Sequence, residues 1–134
     1  MLITRETDYA MRILRALSDG KQMTAQKISE SHQVPKQFAY KIIKKLSNAN
    51  FVTIIRGVEG GCSLSADLKQ VTLYDLMVAM GEDFNVISCI EPSYDCSWQK
   101  ANGRCIAHRQ LAQLQQRLNE ECQSYTLYDL IYGD

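Results

Sequence analysis

Residues 34–65 read VPKQFAYKIIKKLSNANFVTIIRGVEGGCSLS. Pro35 has the fixed φ of a first helical turn and lacks only an amide that a helix start leaves unused. From there the spacing predicts a helix to about Asn48. Phe38, Ala39, Ile42, Ile43 and Leu46 recur at helical intervals and make one apolar face, while Lys36, Gln37, Tyr40, Lys41, Lys44 and Lys45 take the remaining surface. Asn50 tolerates the left-handed backbone that closes such a helix. The run at 51–55 is β-branched and too short for a helix, so it reads as a strand. Arg56-Gly57-Val58-Glu59-Gly60-Gly61 turns the chain, and residues 62–65 return it as a second strand. A hairpin therefore follows the lysine-rich helix directly.

Working upstream, residues 4–17 set Ala10, Ile13, Leu14 and Leu17 at the i, i+3, i+4, i+7 positions of one helical face. Thr4 is suited to cap that helix, and Ser18-Asp19-Gly20 to stop it. Thr24 caps a second, short helix that buries Ala25 and Ile28, and residues 31–34 form a turn. Two helices across a short turn, the second rich in surface lysines and amides, describe a helix-turn-helix whose second helix enters a DNA groove. The hairpin is then a wing. Its glycines, Gly57 among them, permit tight backbone geometry, and Arg56 at its base can reach a narrow groove or a phosphate.

Downstream, Thr72-Leu73-Tyr74-Asp75-Leu76 opens a helix ending near Gly81, and the same five residues recur as Thr126-Leu127-Tyr128-Asp129-Leu130. Each copy has a threonine cap with an aspartate three residues on, which marks two helix starts of similar chemistry. Between them, Ala107, Leu111, Leu114, Leu118 and Cys122 make a stripe on a helix of some sixteen residues. Pairing with a second copy is the economical use of that stripe, and burial within its own protomer is the alternative. The expected architecture is mainly α with a small β-hairpin wing: a winged helix-turn-helix at 1–66, a connecting helix at 67–84, a cysteine ligand loop at 85–105, and a long dimerisation helix with a terminal helix at 106–134.

The net charge is zero, yet it is unevenly divided. Residues 1–65 carry ten Lys/Arg against five Asp/Glu (10 − 5 = +5), and residues 66–134 carry five against ten (5 − 10 = −5). A neutral total thus conceals a basic half fit for phosphate contact, unless the two halves differ by chance. No apolar run is long enough to span a membrane, and the opening MLITRETDYAMR has no apolar signal core, so a cytoplasmic protein is expected. No Walker loop, dinucleotide glycine pattern or nucleophile–base pair occurs, which argues against an enzyme.

Of five cysteines, Cys89, Cys96 and Cys105 fall within seventeen residues, and His108 follows Cys105 by three. If the last long helix begins near Gly103 or Arg104, Cys105 and His108 face one point. Three thiolates and an imidazole suit tetrahedral zinc or an iron–sulfur cluster, and the wide gaps tilt toward the larger inorganic core. The plainer reading is that these are free cysteines used as small apolar residues. The polar surroundings of Cys96 (Ser93, Asp95, Ser97, Gln99, Lys100) disfavour it. Cys62 and Cys122 lie on apolar faces, where packing is their expected use.

Taken in order, LITRETDYAMRIL, VPKQFAYKIIKKLSNANFV, IIRGVEGGCSL, VTLYDLMVAM, the cysteine loop and the terminal TLYDLI resemble the Rrf-two family of bacterial winged-helix transcription regulators (IscR, NsrR, RirA and CymR types) over essentially the whole chain. The resemblance implies a homodimer on double-stranded DNA, crossed by the long C-terminal helix. It implies that Lys36, Gln37, Tyr40 and Arg56, with neighbouring Gly57, face the grooves while Lys41, Lys44 and Lys45 meet phosphates. Tyr40 stands where one branch has a carboxylate. Cys89, Cys96 and Cys105 match the three cluster-binding cysteines of the sensing branches. The fourth ligand is then His108, as in 2Fe–2S members, or Asp8 of the partner subunit, as in 4Fe–4S members. Cys62 replaces an aromatic of the wing, so packing there should be reduced. The resemblance thus points to a repressor or other regulator whose operator affinity follows an iron–sulfur cluster sensing iron, redox state or nitric oxide. Zinc or redox-active thiols in place of a cluster, or a cluster-carrying interaction protein without DNA binding, stand as alternatives.

Overall fold

Helix α1, Arg5–Ala16, begins where Thr4 accepts a hydrogen bond from the Thr7 amide, and it buries Thr7, Ala10, Ile13, Leu14 and Ala16. The computed structural model describes residues 2–133. Thr24 caps α2, Ala25–His32, in the same way through the Lys27 amide. Gln33 then takes a left-handed conformation and reverses the chain into α3, Lys36–Asn48. Pro35 stands just outside α3 as its N-cap, with ψ 134°. The expected start is thus one residue early, because that ψ is extended and not helical. Ala39, Ile42 and Leu46 of α3 are fully enclosed against α1 and α2. A side chain the size of Ile42 or Leu46 stabilises by about 1.5–3 kcal/mol on leaving water. These three helices hold half of the buried core residues.

Asn50, at φ 63°, ends α3 as expected. Strands β1, Val52–Ile55, and β2, Gly61–Leu64, pair antiparallel with Val52 opposite Leu64 and Ile55 opposite Gly61. The turn between them needs glycine at two places. Gly57 has φ 113°, which side-chain-bearing residues avoid, and a Cβ on Gly60 would sit 2.7 Å from the Ile55 carbonyl oxygen. Cys62 exchanges two main-chain hydrogen bonds with Met23, at 2.8 and 3.0 Å, and so pins the wing to the segment before α2. Its side chain is 2% exposed and belongs to the core. It also lines a cleft between α3 and the wing.

Helix α4, Leu73–Ala79, opens with a full capping box between Thr72 and Asp75 and closes through Met80 into a left-handed Gly81. The segment expected to be a loop holds two short elements. One is a 3₁₀ turn at Ser88–Ile90; the other is α5, Ser97–Asn102. Both are too short to show a period in the sequence. Helix α6, Ile106–Ser124, packs against α4 and the 3₁₀ turn. Helix α7, Leu127–Tyr132, then returns to α1, with Leu127 fully buried. The two TLYDL copies meet here. Thr72 bridges Thr126, the Leu73 amide donates to the Tyr125 carbonyl, and the Leu127 amide donates to the Val71 carbonyl, both at 2.9 Å.

Candidate nucleic-acid interface and cysteine centre

Helix α3 presents two different basic edges. Lys36, Gln37, Tyr40 and Lys44 are exposed on the side away from the core, as are Arg56 and Gly57 of the wing, and Tyr40 and Gly57 line one cleft. Among the described residues, Lys36, Lys44 and Arg56 form no ion pair. Lys41 and Lys45 lie further round the helix and meet Glu6 of α1, each at 3.0 Å. Lys45 also donates to the Met80 carbonyl at the end of α4, at 2.9 Å. Burial alone would raise the pKa of Glu6; the two lysines outweigh it and hold that carboxyl below its ordinary value. So part of the charge expected at phosphates is engaged inside the protomer. The sequence concealed this, since the partner of Lys41 and Lys45 lies on another helix.

Between α3 and the wing runs an open cleft of about 360 Å³. Tyr40 and Ile43 line one side, and Ile54, Ile55 and Val58 the other. Val58, at the wing tip, is wholly exposed.

Residues 82–86, which lead into the cysteine loop, are joined to α1 and to α6 by buried or half-buried polar groups. Glu82 accepts hydrogen bonds from Thr4 and from Thr7, the latter at 3.0 Å, and so holds the first turn of α1. Gln115 of α6, 5% exposed, accepts from the Val86 amide at 2.7 Å and donates to the Phe84 carbonyl at 3.4 Å. Neither residue was singled out by the sequence. An amide on a helix otherwise read by its leucine stripe gives no signal until a second segment is laid on it.

Cys89 and His108 approach each other, and Cys105 caps the helix that carries His108. His108 Nδ1 lies 3.4 Å from Cys89 Sγ, and the His108 amide donates to Cys105 Sγ at 3.3 Å. The arrangement differs from the expected one in its cause. Helix α6 begins at Ile106, so Cys105 is its N-cap and not a helical neighbour of His108. Cys96 caps α5 without a side-chain hydrogen bond, on a stretch held by the Lys100–Asp95 ion pair at 2.7 Å. Among the described residues no three such donors are grouped about one point. Asp8 is engaged elsewhere, with Arg12 at 3.0 Å and Arg5 at 3.3 Å. A thiol and an imidazole in contact are donor types that a thiophilic metal or cluster takes, and a three-donor site would need Cys105 or Cys96 brought to them.

The five thiols fall into two classes. Cys89, Cys96 and Cys105 are half-buried, whereas Cys62 and Cys122 are buried. Burial pushes the Cys62 thiol up; burial, with Glu121 nearby, does the same to Cys122. Since the thiolate is the nucleophile, native protein stripped of metal should alkylate quickly at three cysteines and at the other two only after denaturation. Mass spectrometry of the modified peptides checks this; rapid labelling of Cys62 would contradict its placement in the core.

Residues 3–133 match the Rrf2 family of iron-dependent transcriptional regulators. The chain belongs to the Rrf2 family. Rrf2 relatives include an HTH-type transcriptional regulator of Aquifex aeolicus, 26% identical over 133 residues, which cover 98% of this chain and 92% of that protein. Protein aau3 of Rhizobium meliloti is 30% identical over 137 residues, covering 98% and 85%. Among solved structures, CymR, the global cysteine regulator of B. subtilis, superposes with a TM-score of 0.67 at 20% identity, covering 96% of this chain and 95% of that one. IscR of T. potens superposes with a TM-score of 0.64 at 20% identity, covering 96% and 85%. The winged-helix fold of Rrf2 regulators is therefore that of this chain, and its role is transcription regulation through DNA, not catalysis. No described helix of this Rrf2 protein is long and apolar enough to cross a membrane.

Proposed function

We propose that two copies of this chain, joined along α6, form a transcription regulator whose operator affinity is governed by an iron–sulfur cluster on Cys89, Cys96, Cys105 and His108. One observation carries the sensing part of this reading: the contact of His108 Nδ1 with Cys89 Sγ at 3.4 Å, beside Cys105 at the start of α6. When bound, a cluster supplies iron-centred redox and ligand-exchange chemistry that side chains alone lack. The chain's own residues supply the rest. Cys89 follows the 84–86 segment clamped by Gln115, and Glu82 ties the same stretch to α1. Lys45 links α3 to Glu6 and to the end of α4. Order at 89–105 therefore bears on elements that touch the recognition helix.

The proposed surface for DNA is Lys36, Gln37, Tyr40 and Lys44 of α3 with Arg56 and Gly57 of the wing, one set per half-site. Lys41, half exposed though paired with Glu6, would be the phosphate contact nearest α1. Pairing along α6 is supported by what the protomer leaves open: of its nineteen residues only Gln115 and Cys122 are buried, while Ile106 and Leu114 are exposed.

The test is anaerobic purification, with visible absorption, iron and sulfide counting, and duplex binding before and after chelation. A coloured, iron-containing protein whose operator affinity changes on chelation is the expected result; a colourless, iron-free protein would defeat the cluster. A second reading, redox-active thiols or zinc on the same residues, is favoured by one feature: among the described residues no three of the donors are grouped about one point. A CymR from Staphylococcus aureus is known in an oxidised form. Thiol titration and zinc analysis of the same preparation separate the two.

A further inference from the structure

The face proposed for DNA is not uniformly polar. Tyr40 is 58% exposed in its middle, Ile54 and Ile55 are 39% and 40% exposed on the wing, and with Ile43 and Val58 they wall the cleft described above. Their apolar surface is contiguous along one cleft beside the cationic helix face, which sets it apart from apolar residues exposed singly. What could occupy the cleft is constrained by the side chains flanking it. Lys36 and Lys44 lie on the same face of α3 as Tyr40, and Arg56 is next to Ile55; none of the three has an ion-pair partner among the described residues. Cationic side chains flanking an apolar cleft call for a partner whose edges are anionic and whose inner surface carries hydrocarbon. Duplex DNA has this pattern, with phosphates outside and deoxyribose carbons within. Of the groups on base edges in the major groove, the thymine C5-methyl is the apolar one.

We infer that Tyr40 is a specificity-determining residue that reads thymine by packing its ring on the C5-methyl, while Ile54 and Ile55 pack on the deoxyribose of the strand passing between helix and wing. The inference rests on the proposed DNA-binding face and deepens it. It assigns A·T preference at one or two positions per half-site to an apolar contact, and not to a hydrogen bond from the phenol.

The experiment selects a duplex from a random pool with the full-length protein, then replaces each thymine of one half-site by deoxyuridine, which deletes only the methyl. At one or two thymines the affinity should fall about four-fold, the worth of one buried methyl-sized group of about 0.8 kcal/mol at 1.4 kcal/mol per decade. The loss should disappear in Tyr40→Ala and persist in Tyr40→Phe. Since Tyr40 is exposed, neither variant removes a core residue. As a control, Lys44→Ala should weaken binding to all duplexes alike and flatten the salt dependence, leaving the methyl response intact. Three results overturn the inference while the DNA reading stands: indifference to every deoxyuridine, a methyl response unchanged in Tyr40→Ala, or its loss in Tyr40→Phe. Failure to select any duplex at low salt overturns the inference and the DNA reading together.

Discussion

Ile106→Asp combined with Leu114→Asp should leave a folded protein that sediments near 15.2 kDa instead of twice that mass and binds its operator roughly a hundred-fold or more weakly. The two residues are 66% and 45% exposed in the protomer, so carboxylates there meet water and leave the protomer's own packing intact. In a paired α6 the same carboxylates would be buried without partners, which is costly. Loss of operator affinity follows because a monomer offers one recognition helix and one wing, and forfeits the effective concentration of the second half-site. The circular dichroism spectrum should be unchanged. Leu127→Ala provides the contrast: that residue is fully buried, and its truncation should cost about 2–5 kcal/mol of stability in any oligomeric state. If the double aspartate variant remains dimeric, α6 is not the interface.

The second large effect concerns the sensing residues. Cys89→Ser, Cys105→Ser and His108→Ala should each lose most of the iron retained by the anaerobically purified protein, because Cys89 contacts His108 and Cys105 caps the helix that carries it. Asp8→Ala should retain it. The Asp8 carboxylate already accepts from Arg12 and Arg5, and Arg12 also donates to the Gln33 carbonyl, so ligation would require dismantling that set. Removing an exposed pair of this kind is worth only about 0.2–1 kcal/mol, so Asp8→Ala should fold normally. Iron content and the visible spectrum read the outcome directly. Bleaching by Asp8→Ala with colour retained in His108→Ala would transfer the fourth ligand to Asp8 and favour the 4Fe–4S arrangement.

Much of the fold was legible in one pass along the chain because its information is local. The stripe at Ala10, Ile13, Leu14 and Leu17, the threonine caps of α1 and α2, Asn50 after α3 and the glycine turn of the wing depend on neighbours within one or two helical turns. The candidate site was legible as a set of residue types, three cysteines and a histidine, but its construction was not. Cys105 acts as a helix cap where a helical neighbour was expected, α5 sits inside what read as a loop, and Asp8 is held by arginines.

By itself the sequence determined the order of helices, the wing and the family, since periodicity, capping and turn chemistry are written in short spans. Only the tertiary structure decided which cations remain available, which polar groups join the units, and which apolar residues stay uncovered. Lys41 and Lys45 find Glu6 across a helix interface, Gln115 finds the 84–86 segment, and Tyr40 faces the wing. The energy of a charge or an apolar surface depends on what lies within a few ångströms of it, and those neighbours come from distant parts of the chain.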